Sequence, residues 1–142
     1  MQQDASTAPL PPPEGWEERS FAGFPALVGP ILARREGEAW AYGLRIGPQH
    51  LNLRDAVHGG LFATLADHAL GLTIWESLGR RPCATIQLNV QFVAAGKLGD
   101  FVEARAEVIR VTRSVVFVRG ELRVGPRVVA MADGVWKILG AA

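Results

Sequence analysis

The chain has 142 residues, of which 49% are hydrophobic and 20% are charged. This mixture is typical of a single globular domain and differs from that of disordered or membrane proteins. With 15 basic and 14 acidic residues, the formal net charge is +1, so the basic excess of a nucleic-acid-binding protein is missing. One cysteine, Cys83, excludes a disulfide framework and a zinc site built on several thiolates. We therefore expect a cytoplasmic protein that binds no nucleic acid.

Residues 1 to 15 contain a run of prolines and have the composition of a flexible lead-in. This leaves residues 16 to 142 as the single folded domain. The lead-in lacks the basic start and apolar stretch of a secretory signal. The longest apolar segment, residues 59 to 75, holds Asp67 and His68 near its middle, and a charge at the centre of a bilayer is costly. The segment predicts a buried helix and no membrane span.

The remaining elements are predicted from the alternation of apolar and polar residues and from the glycines and prolines that mark the ends of segments. Residues 16 to 30 indicate only a short turn or helix. A hairpin is predicted for residues 31 to 35 and 38 to 46, and four more strands follow the helix, at residues 84 to 92, 101 to 110, 114 to 124 and 128 to 138. Because no second long helix supplies parallel crossovers, the order predicts an α+β fold with an antiparallel sheet of about five to six strands around one helix.

The predicted helix carries two stripes. One would pack on the sheet and comprises Leu61, Leu65, Leu72 and Trp75. The other consists of small residues around one carboxylate, namely Gly60, Ala63 or Thr64, Asp67 and Gly71. Small residues allow a backbone to come close, so the second stripe predicts a contact with another subunit.

Asp67 follows Gly60 by seven residues, which places it on the same face but about 10 Å further along the helix axis. One subunit therefore cannot bring both residues to one substrate atom. An antiparallel copy of the helix, related by a two-fold axis, would bring Asp67 of one chain beside Gly59 and Gly60 of the other. The spacing predicts a composite site in a dimer.

Such a site has a coherent chemistry. Unpaired amides at a helix N-terminus stabilise an oxyanion, and a nearby carboxylate can activate water or attack directly. The pattern alone leaves structural alternatives open: Asp67 as a carboxylate exposed at a seam or paired with an arginine, His58 as an ordinary helix-start residue, and Thr85 as an ordinary strand residue.

The series Asn52, His58-Gly59-Gly60, Asp67 and Thr85 resembles the phenylacetate-pathway (PaaI-like) group of hotdog-fold thioesterases, within the 4-hydroxybenzoyl-CoA thioesterase superfamily. The resemblance covers roughly residues 29 to 139. It implies a hotdog fold and hydrolysis of acyl-CoA, with an aromatic or a short- to medium-chain acyl group. It also implies homodimers or homotetramers with active sites at the subunit interface, and neither a metal nor another cofactor.

The resemblance further implies a role for each matched residue. Asp67 would be the general base or nucleophile, supplied by the partner chain, and the amide of Gly59 would polarise the thioester carbonyl. Water or substrate would be positioned by Asn52, His58, Gly60 and Thr85. CoA would be contacted near the start of the fifth predicted strand by Arg110, Arg113 and Ser114. Arginine suits this second role because its fork of donors matches phosphate.

Other functions on this fold stay open at this point. One is a non-catalytic acyl-CoA-binding module, which the retained Asp67 disfavours. Another is a hydratase or dehydratase, for which the expected Asp-His pairing is not evident. We expect His50 to be a loop residue, His68 to lie on a different helix face from Asp67, and Cys83 to be a small residue at a strand edge.

Overall fold

The computed structural model describes residues 10–19 and 21–140. Residues 1 to 9 of the predicted lead-in lie outside the described residues, and residues 10 to 15 form neither helix nor strand. The helices and strands of the described residues are, in chain order, β1 (Glu17–Glu18), α1 (Phe24–Val28), β2 (Leu32–Glu36), β3 (Ala39–Arg45), α2 (Gly59–Ser77), β4 (Cys83–Phe92), β5 (Phe101–Val111), β6 (Val115–Val124) and β7 (Arg127–Ile138).

All seven strands form one antiparallel sheet in the order β1-β2-β3-β5-β6-β7-β4. The sheet wraps around α2, which contacts five of the strands, from β3 to β7. This arrangement confirms the predicted α+β fold with one long helix. No helix among the described residues is long and apolar enough to cross a membrane.

Helix α2 buries one side against the sheet through Leu61, Phe62, Leu65, Ala66, Ala69, Leu70 and Ile74. The prediction was correct for Leu61 and Leu65, and Leu72 is partly buried and packs against the same core. It was wrong for Trp75, which is only partly buried and is not part of that core. Because α2 is apolar almost all the way round, its periodicity does not select one face. The curl of the sheet makes that selection.

The predicted strand count of five to six was too low because β1 was missed. This strand has two residues, and Glu17 pairs with Ala33 of β2. Two exposed glutamates carry no alternation, so only the long-range pairing defines the strand. Trp16 beside it is buried, with its ring 5.0 Å from that of Phe101 in an edge-to-face contact. The helix expected near residues 16 to 30 is the short α1.

Strand β4 forms one edge of the sheet, with β7 on one side and no strand of the described residues on the other. A bulge interrupts its pairing, because Thr85 lies opposite Trp136 and Gln87 opposite Val135, which leaves Ile86 as the extra residue. Gly134 accommodates the bulge, since a side chain there would collide with the backbone oxygen of Gln87. Ile86 is 58% exposed.

An ion-pair network joins β2 to β5 on the outer side of the sheet. Both carboxylate oxygens of Glu36 accept from Arg105, at 2.8 and 2.9 Å, and one also accepts from Arg34 at 2.6 Å. The hydrogen bond from Arg105 is the main cause that lowers the pKa of Glu36 from 4.5 to about 2, although partial burial opposes the shift.

We predict that Glu36→Gln lowers the free energy of unfolding by about 1 kcal/mol at neutral pH, a modest value because these side chains are about a third exposed. A carboxylate whose pKa is lowered on folding stabilises the protein above its unfolded-state pKa, and this contribution fades as the pH falls. The difference between wild type and variant, measured by urea denaturation, should therefore shrink as the pH falls from 4.5 towards 2. A difference that is constant over this range would contradict the assignment.

Candidate active site

An open cleft of about 370 Å³ crosses the side of α2 that the sheet leaves uncovered. Its apolar walls include Phe21, Leu72, Trp75 and Trp136. Its side chains with titratable or hydroxyl groups are Asp67, His68, Cys83 and Thr85. An apolar cleft with a few convergent polar groups is the usual form of a small-molecule site.

Asp67 and Thr85 are in direct contact in this cleft. The Thr85 hydroxyl donates to Asp67 Oδ1 at 2.7 Å, joining the middle of α2 to the start of β4. No other hydrogen bond to the Asp67 carboxylate is found among the described residues, so Oδ2 stays open towards the cleft. The arginine partner considered for Asp67 as a structural alternative is also missing from the described part of the chain. The carboxylate is thus oriented by one donor and has one oxygen free to accept a proton.

His68 lines the same cleft as Asp67, although the two side chains point in different directions from the helix. Consecutive helical residues lie about 100° apart, and the cleft is wide enough to reach both. The His68 ring packs edge-on to Phe21, with centroids 5.0 Å apart, and to Tyr42 at 6.2 Å. Burial is the main cause that lowers the pKa of His68, and it outweighs the opposing effect of the Asp67 charge.

Cys83 is the first residue of β4, as expected of a small strand-edge residue. Its sulfur lies 3.8 Å from the carbonyl oxygen of Gly71. Burial, followed by the nearby Asp67 charge, raises the pKa of the Cys83 thiol. A raised pKa disfavours the reactive thiolate, so this cysteine is poorly suited to act as a nucleophile.

The N-terminus of α2 is capped by the side chain of His58, whose Nδ1 accepts from the amide of Gly60 at 2.8 Å. An accepting Nδ1 leaves the ring proton on Nε2. The amide of Gly59 has no hydrogen-bond partner among the described residues. A Cβ on Gly59 would approach the Phe92 ring to 3.3 Å, so a larger residue would press against that ring. Of the two glycines, Gly59 is the one with a free donor.

Asn52 shapes the loop that leads into α2. Its Oδ1 accepts from the amides of Arg54 at 2.8 Å and Ala56 at 3.2 Å. The same loop is held by His50, which is buried and bonds through its ring to Gly47 and Val28. His50 is therefore a structural residue of a short 3-10 turn, and the sequence signal that could have shown this is its place two residues after Gly47-Pro48.

Arg110 is the penultimate residue of β5, and Arg113 and Ser114 lie in the turn between β5 and β6; all three are exposed. The Ser114 carbonyl accepts from the amide of Ile138, and Ile138 pairs with Cys83 in the sheet. The turn therefore lies at the end of the sheet where the cleft opens.

The residues from the sequence pattern thus fall into two separate groups on one chain. Asp67 and Thr85 meet in the cleft, while His58, Gly59 and Gly60 form the start of α2. Asp67 is eight residues after Gly59, so the two lie about 12 Å apart along the helix axis. Within the part of the chain that the structure describes, no group of three or more His, Cys, Asp or Glu side chains could hold a metal ion.

Sequence reasoning missed the apolar walls of the cleft. Phe21 was considered only as part of a turn, and Trp136 only as a strand residue. Leu72 and Trp75 were placed on the buried face. The available signal was weak: Leu72 lies four residues and Trp75 seven residues after His68, spacings that are close to one and two helical turns.

Comparisons of sequence and of structure with known proteins point to the same family. The sequence model of the thioesterase superfamily matches residues 55–131 of this chain. A Pseudomonas aeruginosa protein, PA0474, which carries the provisional name of an esterase, is 32% identical over 130 residues, covering 89% of this chain and 96% of that protein.

Solved structures with the same fold include two informative cases. The BH2602 protein of Bacillus halodurans, solved with CoA, is 26% identical, with a TM-score of 0.74 over 87% of this chain and 83% of that chain. A variant of the phenylacetic acid degradation protein PaaI of Thermus thermophilus is 24% identical, with a TM-score of 0.74 over 82% and 98% of the two chains. The predicted hotdog fold and PaaI-like resemblance are confirmed.

We predict that two substitutions of Asn52 separate its loop role from any role towards substrate. Asn52→Ala removes an acceptor used by two amides and should lower the free energy of unfolding by about 1 to 3 kcal/mol. Asn52→Asp keeps that acceptor and should unfold near the wild-type denaturant midpoint. If Asn52→Asp unfolded as early as Asn52→Ala, the loop role would be refuted.

Proposed function

The chain belongs to the thioesterase superfamily and is a thioester hydrolase, and we propose that it hydrolyses acyl-CoA to a free acid and CoA at a site shared between two copies of the chain. The observation that carries this proposal is the free Asp67 oxygen in an apolar cleft, oriented by Thr85. The CoA bound to the Bacillus halodurans relative supports the choice of acyl carrier. The aromatic cleft walls favour an aromatic or a short- to medium-chain acyl group.

In the proposed reaction, Asp67 takes a proton from a water molecule as the water oxygen attacks the thioester carbon. The carbonyl oxygen gains negative charge and accepts a hydrogen bond from the amide of Gly59 of the partner subunit. The carbon–sulfur bond then breaks, the proton passes to the departing CoA sulfur, and the carboxylic acid remains. Removing one well-placed oxyanion donor in other enzymes costs about 3 kcal/mol of transition-state stabilisation, so the Gly59 amide is a substantial part of the proposal.

The unpaired edge of β4 supports the shared site. Along this strand, Thr85 lies beside Asp67, while Phe92 lies beside Gly59. If two β4 strands paired antiparallel about a two-fold axis near the middle of the strand, the Thr85 end of one would meet the Phe92 end of the other. This pairing would bring Asp67 close to Gly59 of the partner subunit and would cover the exposed strand edge.

Arg110, Arg113 and Ser114 are proposed to contact the CoA nucleotide. They are exposed at the end of the sheet where the cleft opens, and no ion pair of the arginines at positions 110 and 113 is found among the described residues. Two uncompensated guanidinium groups suit the phosphates of CoA. We also propose a cytoplasmic location, because acyl-CoA is the substrate and the single cysteine is a free thiol.

We predict that Asp67→Asn lowers kcat by at least about a hundredfold, because an amide cannot accept the proton from water. Thr85→Val should lower kcat by about tenfold through loss of the hydrogen bond to the carboxylate, whereas Thr85→Ser should keep most of the rate. The measurement is release of free CoA thiol from a panel of acyl-CoAs, with circular dichroism as the control for folding. Equal rates for Asp67→Asn and wild type would reject the catalytic assignment. Binding of acyl-CoA without any thiol release would instead indicate the non-catalytic module.

The shared site can be tested by mixing two inactive chains. One chain carries Asp67→Ala, and the other carries Gly59→Val, whose side chain would press against Phe92 and is expected to displace the amide. When subunits exchange freely, half of the dimers contain both chains, and each such dimer has one intact site out of two. The mixture should therefore recover about a quarter of the wild-type activity. Heterodimers verified by mass spectrometry that show no recovery would place both residues of each site in a single chain.

A further inference from the structure

Phe21 lies between two cavities. One is the cleft of about 370 Å³ on the uncovered side of α2, which holds Asp67. The other has a volume of about 230 Å³ and is lined by residues of the N-terminal segment that precedes β2, including Pro25, Ala26 and Ile31. Phe21 lines both cavities, and no other described residue does so. Its side chain is therefore the partition between them.

The position of the partition relative to Asp67 follows from its contacts. Phe21 packs on His68, while Asp67 faces β4 through its hydrogen bond with Thr85. A cleft that reaches from Thr85 to Phe21 crosses the outer surface of α2. An acyl group whose carbonyl carbon lies at Asp67, and which extends away from β4, would end against the Phe21 ring.

Phe21 belongs to a segment that is held to the rest of the protein at Arg19 and is lightly packed beyond Phe21. Arg19 forms an ion pair with Glu76 of α2 at 3.0 Å, and its guanidinium lies 4.9 Å from the ring centre of Trp40. Beyond Phe21, none of the residues of α1 is buried, and Leu27 is 82% exposed. A segment with few buried contacts can adjust to a changed side chain at low cost. Substitution of Phe21 is therefore compatible with an intact fold.

We propose that Phe21 sets the upper length of the acyl group by closing the Asp67 cleft against the second cavity. The inference rests on the proposed acyl-CoA hydrolysis and adds the determinant of its chain-length range. Four apolar residues, Pro25, Ala26, Pro30 and Ile31, give the second cavity a largely apolar lining that suits an acyl tail. Its charged lining residues are Glu18 and Arg19, and the Arg19 guanidinium is engaged by Glu76 and Trp40. Removing the ring joins the two spaces.

The test is the ratio of kcat/KM for long to short acyl groups, across straight-chain substrates from butanoyl-CoA to hexadecanoyl-CoA. Phe21→Ala should raise this ratio at least about tenfold over wild type, because each additional methylene in an apolar pocket strengthens binding several-fold. Phe21→Leu should give a smaller rise, and Phe21→Trp should shift the preference to shorter chains. The matched control is Phe24→Ala, since Phe24 is 63% exposed and lines neither cavity.

A second variant tests whether the newly joined space is responsible. Ala26→Phe in the Phe21→Ala background refills the second cavity and should return the profile towards that of wild type. If Phe21→Ala and Phe24→Ala had the same profile as wild type, or if Phe21→Ala lost activity equally for all chain lengths while folded, the proposal would be overturned. If Phe21→Ala does not fold, the proposal is tested by the long-to-short ratio of kcat/KM in Phe21→Leu and Phe21→Trp. This ratio should be above that of wild type in the first and below it in the second, and equal ratios would overturn the proposal as well.

Failure of the underlying function has a different signature. If wild type released no thiol from any acyl-CoA, the proposed hydrolysis would be rejected whatever the role of Phe21. The affinity for S-alkyl-CoA thioethers, which cannot be hydrolysed, then measures the chain-length limit by calorimetry. Tighter binding of the longer thioethers to Phe21→Ala than to wild type would support the partition, and equal binding would overturn it.

Discussion

The burial of only one side of α2 is the constraint on which the candidate site depends. Seven side chains hold the helix against the sheet, so its orientation is fixed by the core. The opposite side is left to Asp67, His68, Leu72 and Trp75, which line the cleft. The rigid rise of the helix also separates the free amide of Gly59 from the carboxylate by about 12 Å. A chemistry that needs both groups at one carbonyl therefore requires two copies of the chain.

The same constraint gives β4 two roles. Its inner side meets α2 along much of the helix, with Thr85 beside Asp67 and Phe92 beside Gly59. Its outer edge carries backbone groups that no strand of the described residues pairs with. Long unpaired edges are an aggregation hazard unless another chain covers them. Pairing of two β4 edges would remove this hazard and assemble the proposed site in one step.

Much of the fold could be predicted from local signals. The strands from β2 to β7 end at or near glycine and proline, and most alternate between apolar and polar residues, so their bounds were predicted to within one or two residues. The start of α2 could be predicted from His58-Gly59-Gly60 followed by an apolar run. For the site, the resemblance to known thioesterases named both Asp67 and Thr85, but the hydrogen bond between them was not predicted.

The parts that could not be predicted depend on contacts between distant segments. Strand β1 exists only because Glu17 and Glu18 pair with β2. The buried side of α2 is chosen by the curl of the sheet, since its own sequence is apolar on nearly every side. Phe21 reaches the cleft because Arg19 is bound to Glu76, a contact between residues 57 positions apart in the chain. No local pattern encodes such a position.

The bulge at Ile86 separates the two halves of β4 in a way that a regular strand could not. Before it, Cys83 and Thr85 face α2, and after it Leu88 and Val90 take that side, so the inward set changes from odd to even positions. In an unbroken strand, Thr85 on the inside would require Gln87 and Asn89 to enter the core with it. The extra residue therefore allows the Thr85 hydroxyl to donate to the Asp67 carboxylate, while the inward-facing residues of the rest of the strand stay apolar. Substitutions at the polar position before the bulge and at the packing positions after it can consequently occur independently of each other.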